Sequence, residues 1–332
     1  MPTLSPPSML SSLSLLQSMA LSLRGVSSNP ARLRLRSHAR GAMLGLALGD
    51  ALGATVEFLT PREIRKQYGR HDRIRGGGWL RLPPGQVTDD TTMAFALAEA
   101  WLLNRHAPSD EDYARAFDTW MRGKPVDIGN TVRRGIVRFR NTGQACMPLS
   151  EDAGNGACMR CAPTALVLLG APSDTIARAT LSQARVTHHH PLTDAATLTV
   201  VNMVQAGILG SAAGAGLRTV MAQANLLARE FPLFRFRGKA AENPSGYIVD
   251  TMRVVLQAID LNDNFESALI QVVNCGGDAD TTGAIAGMVM GALHGEAGLP
   301  ERWLRDLNRD AWRRCIDYAD GLIERSPAWQ RL

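Results

Sequence analysis

Four glycines, Gly41, Gly45, Gly49 and Gly53, recur at every fourth position of the stretch "RGAMLGLALGDALGATVEF". Positions four apart lie on one face of a helix. Each glycine costs about 1 kcal/mol against alanine in a helix interior, so four on one stripe need a compensating gain. A neighbouring element packed too closely to admit side chains supplies it. Glu57 is next in the same register, at the C-terminal end of the stripe. The helix dipole disfavours a carboxylate there, so Glu57 needs a partner of its own.

The rest of the chain continues in helical grammar. Residues 69–88 read as loop, with glycines, two prolines and no period. Helices follow over about 91–104, in "SDEDYARAFDTWMRG" with Ser109 as cap, and in "GNTVRRGIVRFRNTG". A glycine-rich turn then opens an apolar helix in "SEDAGNGACMRCAPTALVLLG". Two more helices flank the histidines of "THHHPL". Others span about 215–230, 246–260 and 264–274, with a small-residue helix after "NCGGDAD" and a last one near 309–324. Strand patterns are nearly absent. The expectation is all-α: a single compact multi-helix domain over 40–330.

Composition agrees. Aromatic residues make up 5% of the 332, while Ala, Leu and Gly abound, which suits closely packed helices. The net charge of +5 comes largely from an Arg-rich N-terminal segment. No basic stripe with interleaved aromatics marks the body, so the pattern points away from nucleic acid. No stretch of 18 apolar residues is free of charge, so no transmembrane segment is expected. The five cysteines are scattered and odd in number, as in a cytosolic protein with reduced thiols. Cys158 and Cys161 form a C-x-x-C with no second pair, and are expected to be packing residues. Residues 1–39 are rich in Ser, Leu and Arg, and the first acid is Asp50. That composition fits a transit peptide, or a disordered N-terminal extension or translation from a start too far upstream; the extension is the reading adopted.

Two segments share one pattern: "TDDTTMAFALA" and "GGDADTTGAIAG" each place clustered Asp and Thr-Thr at the mouth of a buried helix. Capping accounts for one Asp per helix, worth about 0.5–2 kcal/mol. It does not account for two clusters with no basic residue in either. Two carboxylates about 4 Å apart repel by roughly 4 kcal/mol at an effective dielectric of 20. Converging clusters therefore call for a multivalent cation or strongly raised pKa values. Carboxylate and hydroxyl oxygens are hard donors and suit Mg2+ or Mn2+ better than zinc.

In these residues the chain resembles the ADP-ribosylglycohydrolases. The resemblance runs in order through "GAMLGLALGDALGATVEF", "GGGWLRLPPGQVTDDTTM", "KPVDIGNTVRRGI", "DAGNGACMRC", "THHHPLTDAA", "SGYIVDTM" and "VNCGGDADTTGAIAG", over nearly all of 40–325. It implies an all-helical fold with a binuclear metal cleft holding two ions per subunit, Mn2+ or Mg2+. Thr88, Asp89 and Asp90 would supply one side of the centre, and Asp278, Asp280 and Thr281 the other. Glu57 would face the metals or their bridging water, and Asp127 would handle a proton or orient a ribose hydroxyl, so that Asp89, Asp127 and Glu57 carry the chemistry. Asn130 would lie beside them. The loop with Asp152, Gly154, Asn155 and Gly156 would take the pyrophosphate, His188 would lie near ribose or phosphate, and Tyr247 would stack on adenine. "GGGW" is either an approach for ligand or only a turn.

The implied reaction is hydrolysis of the N-glycosidic bond between ADP-ribose and a protein arginine, with the arginine of dinitrogenase reductase as the best-matched acceptor. The implied setting is a cytoplasmic monomer, peripheral to the inner membrane through a PII signalling protein and an ammonium channel. Alternatives are hydrolysis of ADP-ribosyl-serine or O-acetyl-ADP-ribose, or ADP-ribose binding without chemistry. The presence of both acidic loops, Glu57 and Asp127 argues against the last.

Overall fold

The glycine stripe meets a second glycine stripe. In the computed structural model, which describes residues 29–211 and 214–332, helix α1 (Pro30–Gly53) runs antiparallel to α12 (Ala279–His294). A Cβ on Gly41, Gly45 or Gly49 would lie 2.0–2.2 Å from the carbonyl oxygen of Gly291, Gly287 or Gly283, respectively. Gly53 meets Ala279 in the same way, at 2.2 Å. The two backbones are therefore in direct contact along most of their length, which only paired small residues allow. The C-terminal end of α1 is thereby fixed against the N-terminal end of α12, where Asp278 and Asp280 lie.

Between these helices the chain forms α2 (Pro61–Tyr68), α3 (Asp89–Leu103), α4 (Asp110–Arg122), α5 (Asn130–Thr142), α6 (Ala162–Val167) and α7 (Ser173–Arg185). Then come α8 (Pro191–Ser211), α9 (Gly216–Glu230), α10 (Ile248–Leu261) and α11 (Phe265–Val273). After α12 the chain ends in α13 (Glu301–Asp306), α14 (Arg309–Glu324) and α15 (Pro327–Gln330). No strand forms among the described residues; two isolated bridges, Gly77 to Leu82 and Gly154 to Tyr247, fasten loops. The expected all-α domain is observed. Helix α2 was not anticipated, although its capping box, Thr60 with Glu63, is a local signal.

The expected domain start at residue 40 falls inside α1 and is corrected. The helix begins at Pro30, Asn29 caps it by accepting from Ala31 N at 2.9 Å, and Leu35 and Ala39 are buried. The Arg-rich composition of this segment hid the packing. Arg36 pairs with Glu324 at 2.5 Å and stacks over Trp329, and Arg40 pairs with Asp320 at 2.7 Å. These partners lie at the far end of the chain. The expectation of disorder for 1–28 lies outside the described residues.

One helix, α8, is long and apolar enough by composition to cross a membrane. More than half of its apolar window is buried, and its Asp194 pairs with Arg185 at 2.7 Å, as suits the core helix of a globular domain. Cys158 and Cys161 are both buried, Cys161 against Met288.

Candidate active site

Both acidic clusters sit at helix starts, but in neither does the N-cap side chain cap the helix, although Asp280 Oδ1 accepts from Thr281 N at 2.8 Å. Thr88 at the start of α3 and Asp278 at the start of α12 make no side-chain capping bond. For α3 the cap comes from elsewhere. Asp50, fully buried near the end of α1, accepts from Thr88 N at 3.0 Å, Thr91 N at 3.1 Å and Thr91 Oγ1 at 2.5 Å. It satisfies the orphan amides and leaves Asp89 and Asp90 free to face the cleft. Nothing local in the sequence marks Asp50, whose partners lie 38 and 41 residues downstream.

Glu57 does not extend the α1 helix. The helix stops at Gly53, and Glu57 lies in the turn that follows. That turn is laced to the loop before α12: Phe58 N donates to Gly277 O at 2.7 Å and Gly277 N to Leu59 O at 2.9 Å. The lacing requires glycine at two positions. Gly276 and Gly277 adopt left-handed φ of 70° and 64°, and a Cβ on either would lie 2.1 Å from a carbonyl oxygen. Ligand oxygens of Glu57, Asp278 and Asp280 consequently lie within 4.8 Å of one another, close enough to hold a metal ion. The partner Glu57 needed is Trp79 of "GGGW", whose Nε1 donates to Glu57 Oε2 at 2.5 Å. The motif, expected as a turn or an approach for ligand, contributes its indole instead, which no pattern in the sequence marks.

Asp90 joins the two clusters. Its Oδ2 accepts from Thr88 Oγ1 at 3.3 Å and from Thr281 Oγ1 at 3.4 Å, while its buried Oδ1 has no partner. Asp89 Oδ2 accepts from Gly129 N at 3.2 Å, which draws in the loop of Asp127. Asp127 itself accepts from Ile128 N at 2.7 Å, and Asn130, the first residue of α5, is exposed. Among the described residues no Lys or Arg bonds any of these carboxylates.

Burial raises Glu57, Asp89, Asp90, Asp278, Asp280 and Asp50, and repulsion from neighbouring carboxylates adds to it for all but Asp50. Burial pushes Glu57 up to about 8, against the opposing Trp79 bond and helped by the charges of Asp278, Asp127 and Asp89. Asp89 is pushed up to about 7 by burial and the charge of Asp127, and Asp50 to about 6 by burial. Burial raises Asp278, and carries Asp90 and Asp280 well above the usual carboxylate range. A divalent cation among the oxygens of Glu57, Asp90, Asp278 and Asp280 would oppose the shifts of those carboxylates. The orphaned Oδ1 of Asp90 and the all-oxygen donor set fit such an ion.

The facing wall is the loop of Asp152, Gly154, Asn155 and Gly156. Asn155 N donates to Gly246 O at 3.0 Å and Ile248 N to Ala153 O at 2.9 Å, which sets Tyr247 beside it. Tyr247 is 40% exposed and so is not a core aromatic. The Asn155 amide donates to Asp278 Oδ2 at 2.6 Å and to Thr251 Oγ1 at 2.9 Å, linking the loop to the acidic cluster. Asp152 accepts from Thr131 Oγ1 at 2.7 Å and pairs with Arg134 on α5. His188 lies under the two glycines: a Cβ on Gly154 would be 3.0 Å, and on Gly156 2.8 Å, from its ring. Burial and the nearby Arg160 charge push His188 down to about 3, so the ring is neutral. His189 and His190 turn elsewhere, to Met147 O and Leu192 N. Hydrogen bonds thus tie the glycine-rich loop to Asp278 through Asn155 and the Asp127 loop to Asp89 through Gly129, while Asp152 pairs with Arg134 of α5, the helix that Asn130 begins.

Helices throughout, with two acidic helix starts meeting beside a glycine-rich loop, define an all-α domain with a converging acidic cluster. The chain belongs to the ADP-ribosylglycohydrolase family, whose model matches residues 31–331. It is 48% identical over 290 residues to the ADP-ribosyl-[dinitrogen reductase] glycohydrolase of Rhodospirillum rubrum, covering 87% of this chain and 96% of that protein. It is 33% identical over 310 residues to the ADP-ribosylarginine hydrolase Tri1 of Pseudomonas putida, covering 89% and 80%. A solved structure described as an ADP-ribosylglycohydrolase-related protein complex superposes with a TM-score of 0.76 at 32% identity, covering 88% of this chain and 99% of that one.

Proposed function

We propose that the protein hydrolyses the N-glycosidic bond between ADP-ribose and an arginine of dinitrogenase reductase, releasing ADP-ribose. The observation that carries this is the convergence of Glu57, Asp278 and Asp280 with Asp90, which bridges Thr88 and Thr281. The 48% identity to a glycohydrolase named for that substrate supports the acceptor.

Thr88, Asp89, Asp90, Asp278, Asp280 and Thr281 would hold two ions, Mn2+ or Mg2+. When bound, the ions supply positive charge that grips ribose hydroxyls and lowers the pKa of water. The chain's own groups do the rest. Water adds at C1″ as the C1″–N bond breaks, and the departing guanidino nitrogen takes a proton. Glu57, held by Trp79, and Asp127, open to the cleft, are the groups placed to move that proton or to orient the ribose hydroxyls. Asp89 anchors the Asp127 loop through Gly129. The loop at Gly154 and Gly156, with His188 and Asn130, takes the pyrophosphate and ribose, and the exposed Tyr247 ring stacks on adenine.

The setting that goes with this activity is cytoplasmic, with ADP-ribosylated dinitrogenase reductase as substrate and a PII protein and ammonium channel as membrane-side partners. The test is release of ADP-ribose from modified dinitrogenase reductase with Mn2+ and with chelator, run beside arginine and serine conjugates. Cleavage of serine conjugates with arginine conjugates left intact would overturn the assignment.

A further inference from the structure

Arg160 is fully buried, yet among the described residues it meets no carboxylate. Its Nε donates to Gln183 Oε1 at 3.0 Å, and its Nη2 donates to Gln183 O and to Thr187 Oγ1, both at 2.9 Å. The guanidinium lies 4.1 Å from the ring centre of Phe117. A buried arginine that bonds no carboxylate is costly even with the charge of Asp89 acting on it, so what it donates to matters.

The acceptors lead to the glycine-rich loop by two routes. Gln183 turns its Nε2 to Ala157 O at 3.3 Å, immediately after Gly156. Thr187 Oγ1 lies 2.8 Å from His188 Nδ1. Arginine carries donors only, so the Thr187 hydroxyl accepts from Arg160. Among the described residues its own proton then has one partner within reach, His188 Nδ1. The opposite arrangement, with His188 donating from Nδ1, would strand the proton of a hydroxyl whose residue is 1% exposed. His188 Nδ1 is thus the acceptor, and the ring proton sits on Nε2. Nε2 has no protein partner among the described residues, and a Cβ on Gly154 or Gly156 would lie 3.0 or 3.2 Å from it. Glycine at both positions leaves that edge open.

We propose that Arg160 and Thr187 are positioning residues that fix His188 as a neutral Nε2–H donor to an oxygen of the ADP-ribose moiety. The proposal rests on the preceding one only in taking this loop as the ADP-ribose site. It makes Arg160 a fixed donor beneath the site that acts through two hydrogen bonds without touching ligand.

The test is the nitrogen spectrum of the histidine rings in the full-length protein with Mg2+, the His188 signals assigned by their loss in His188→Gln. The wild-type ring is expected in the Nε2–H form, and Thr187→Val is expected to mix the two neutral tautomers. ADP-ribose affinity, measured by calorimetry, should fall about 10-fold in Thr187→Val, the effect of one lost hydrogen bond, and return in Thr187→Ser. A wild-type ring in the Nδ1–H form overturns the relay, and needs no variant to fold. So does a Thr187→Val protein whose tautomers mix while ADP-ribose affinity stays put. Failure to hydrolyse arginine conjugates would overturn the proposed activity without touching this result, since ADP-ribose binding does not depend on the linkage cleaved.

Discussion

Gly49 and Gly283 face each other with no room for a single methyl: a Cβ on Gly49 would lie 2.0 Å from Gly283 O, and one on Gly283 2.4 Å from Gly49 O. The obstacle in both directions is backbone, which cannot swing aside as a side chain can. Gly49→Ala and Gly283→Ala are each expected to cost about 3 kcal/mol or more, at the top of the range for overpacking, despite the better helix propensity of alanine. Urea denaturation measures it. Either variant melting like wild type would show that the helices part without penalty.

Asp50→Asn tests whether the cap of α3 can come from another helix. The amide keeps one acceptor but turns an NH2 toward donors at Thr88 and Thr91. The expected loss is about 1–3 kcal/mol. Because Asp50 aims Asp89 and Asp90, metal affinity measured by titration calorimetry should fall with it. Lost stability at unchanged affinity would confine Asp50 to the fold.

The part of this architecture legible in the sequence was the part written in local periods. The stripe from Gly41 to Gly53 announces a close contact, but its mate at Gly283, Gly287 and Gly291 has the same period, and nothing in either stripe says which it meets. The acidic loops were legible as composition. Asp50 and Trp79 were not, because each acts through hydrogen bonds on residues more than twenty positions away. The start of α1 was masked because its arginines find their acids only at Asp320 and Glu324.

Truncation separates the two domain starts. Deleting residues 1–39 removes the Asn29 cap, the buried Leu35 and the bridge from Arg36 to Glu324. The expected cost is about 3 kcal/mol, from one leucine side chain and one cap. Deleting 1–28 leaves all three in place and should lower the melting temperature less than deleting 1–39. Equal melting temperatures for the two truncations would return the boundary to residue 40.

Metal removal should invert the pH dependence of stability. In the metal-free protein the carboxylates are raised in the fold, Asp89 to about 7 and Glu57 to about 8, with Asp90 and Asp280 well above the usual range. A raised carboxylate contributes stability that is present at low pH and lost as pH rises through its folded value. Buried histidines such as His71 and His188 are shifted down and act oppositely, but only below about 6.5, the unfolded value. Between pH 7 and 9 the carboxylates therefore dominate, and the melting temperature in chelator should fall. With Mn2+ it should rise or hold, because the ion binds the deprotonated cluster. A melting temperature that climbs from pH 7 to 9 in chelator would contradict the converging cluster.

Trp79→Phe separates the indole's hydrogen bond from its ring. Trp79 is 52% exposed and its ring lies 5.4 Å from Phe58, itself 61% exposed, so little core packing depends on it. Phenylalanine keeps the ring contact and removes the donor that Glu57 accepts from at 2.5 Å. Phe58 already holds a left-handed φ of 64°, so the backbone beside Glu57 is set by the lacing to Gly277 and does not relax with the indole. What changes is the freedom of one carboxylate. A hydrogen bond to a charged group is worth about 1.5–3 kcal/mol, so kcat is expected to fall roughly 10- to 100-fold at an unchanged melting temperature. ADP-ribose affinity should move far less, since the product lacks the bond that the proposed role of Glu57 concerns. If kcat survives the substitution, Glu57 is held by the turn alone, and the indole serves only to cover it.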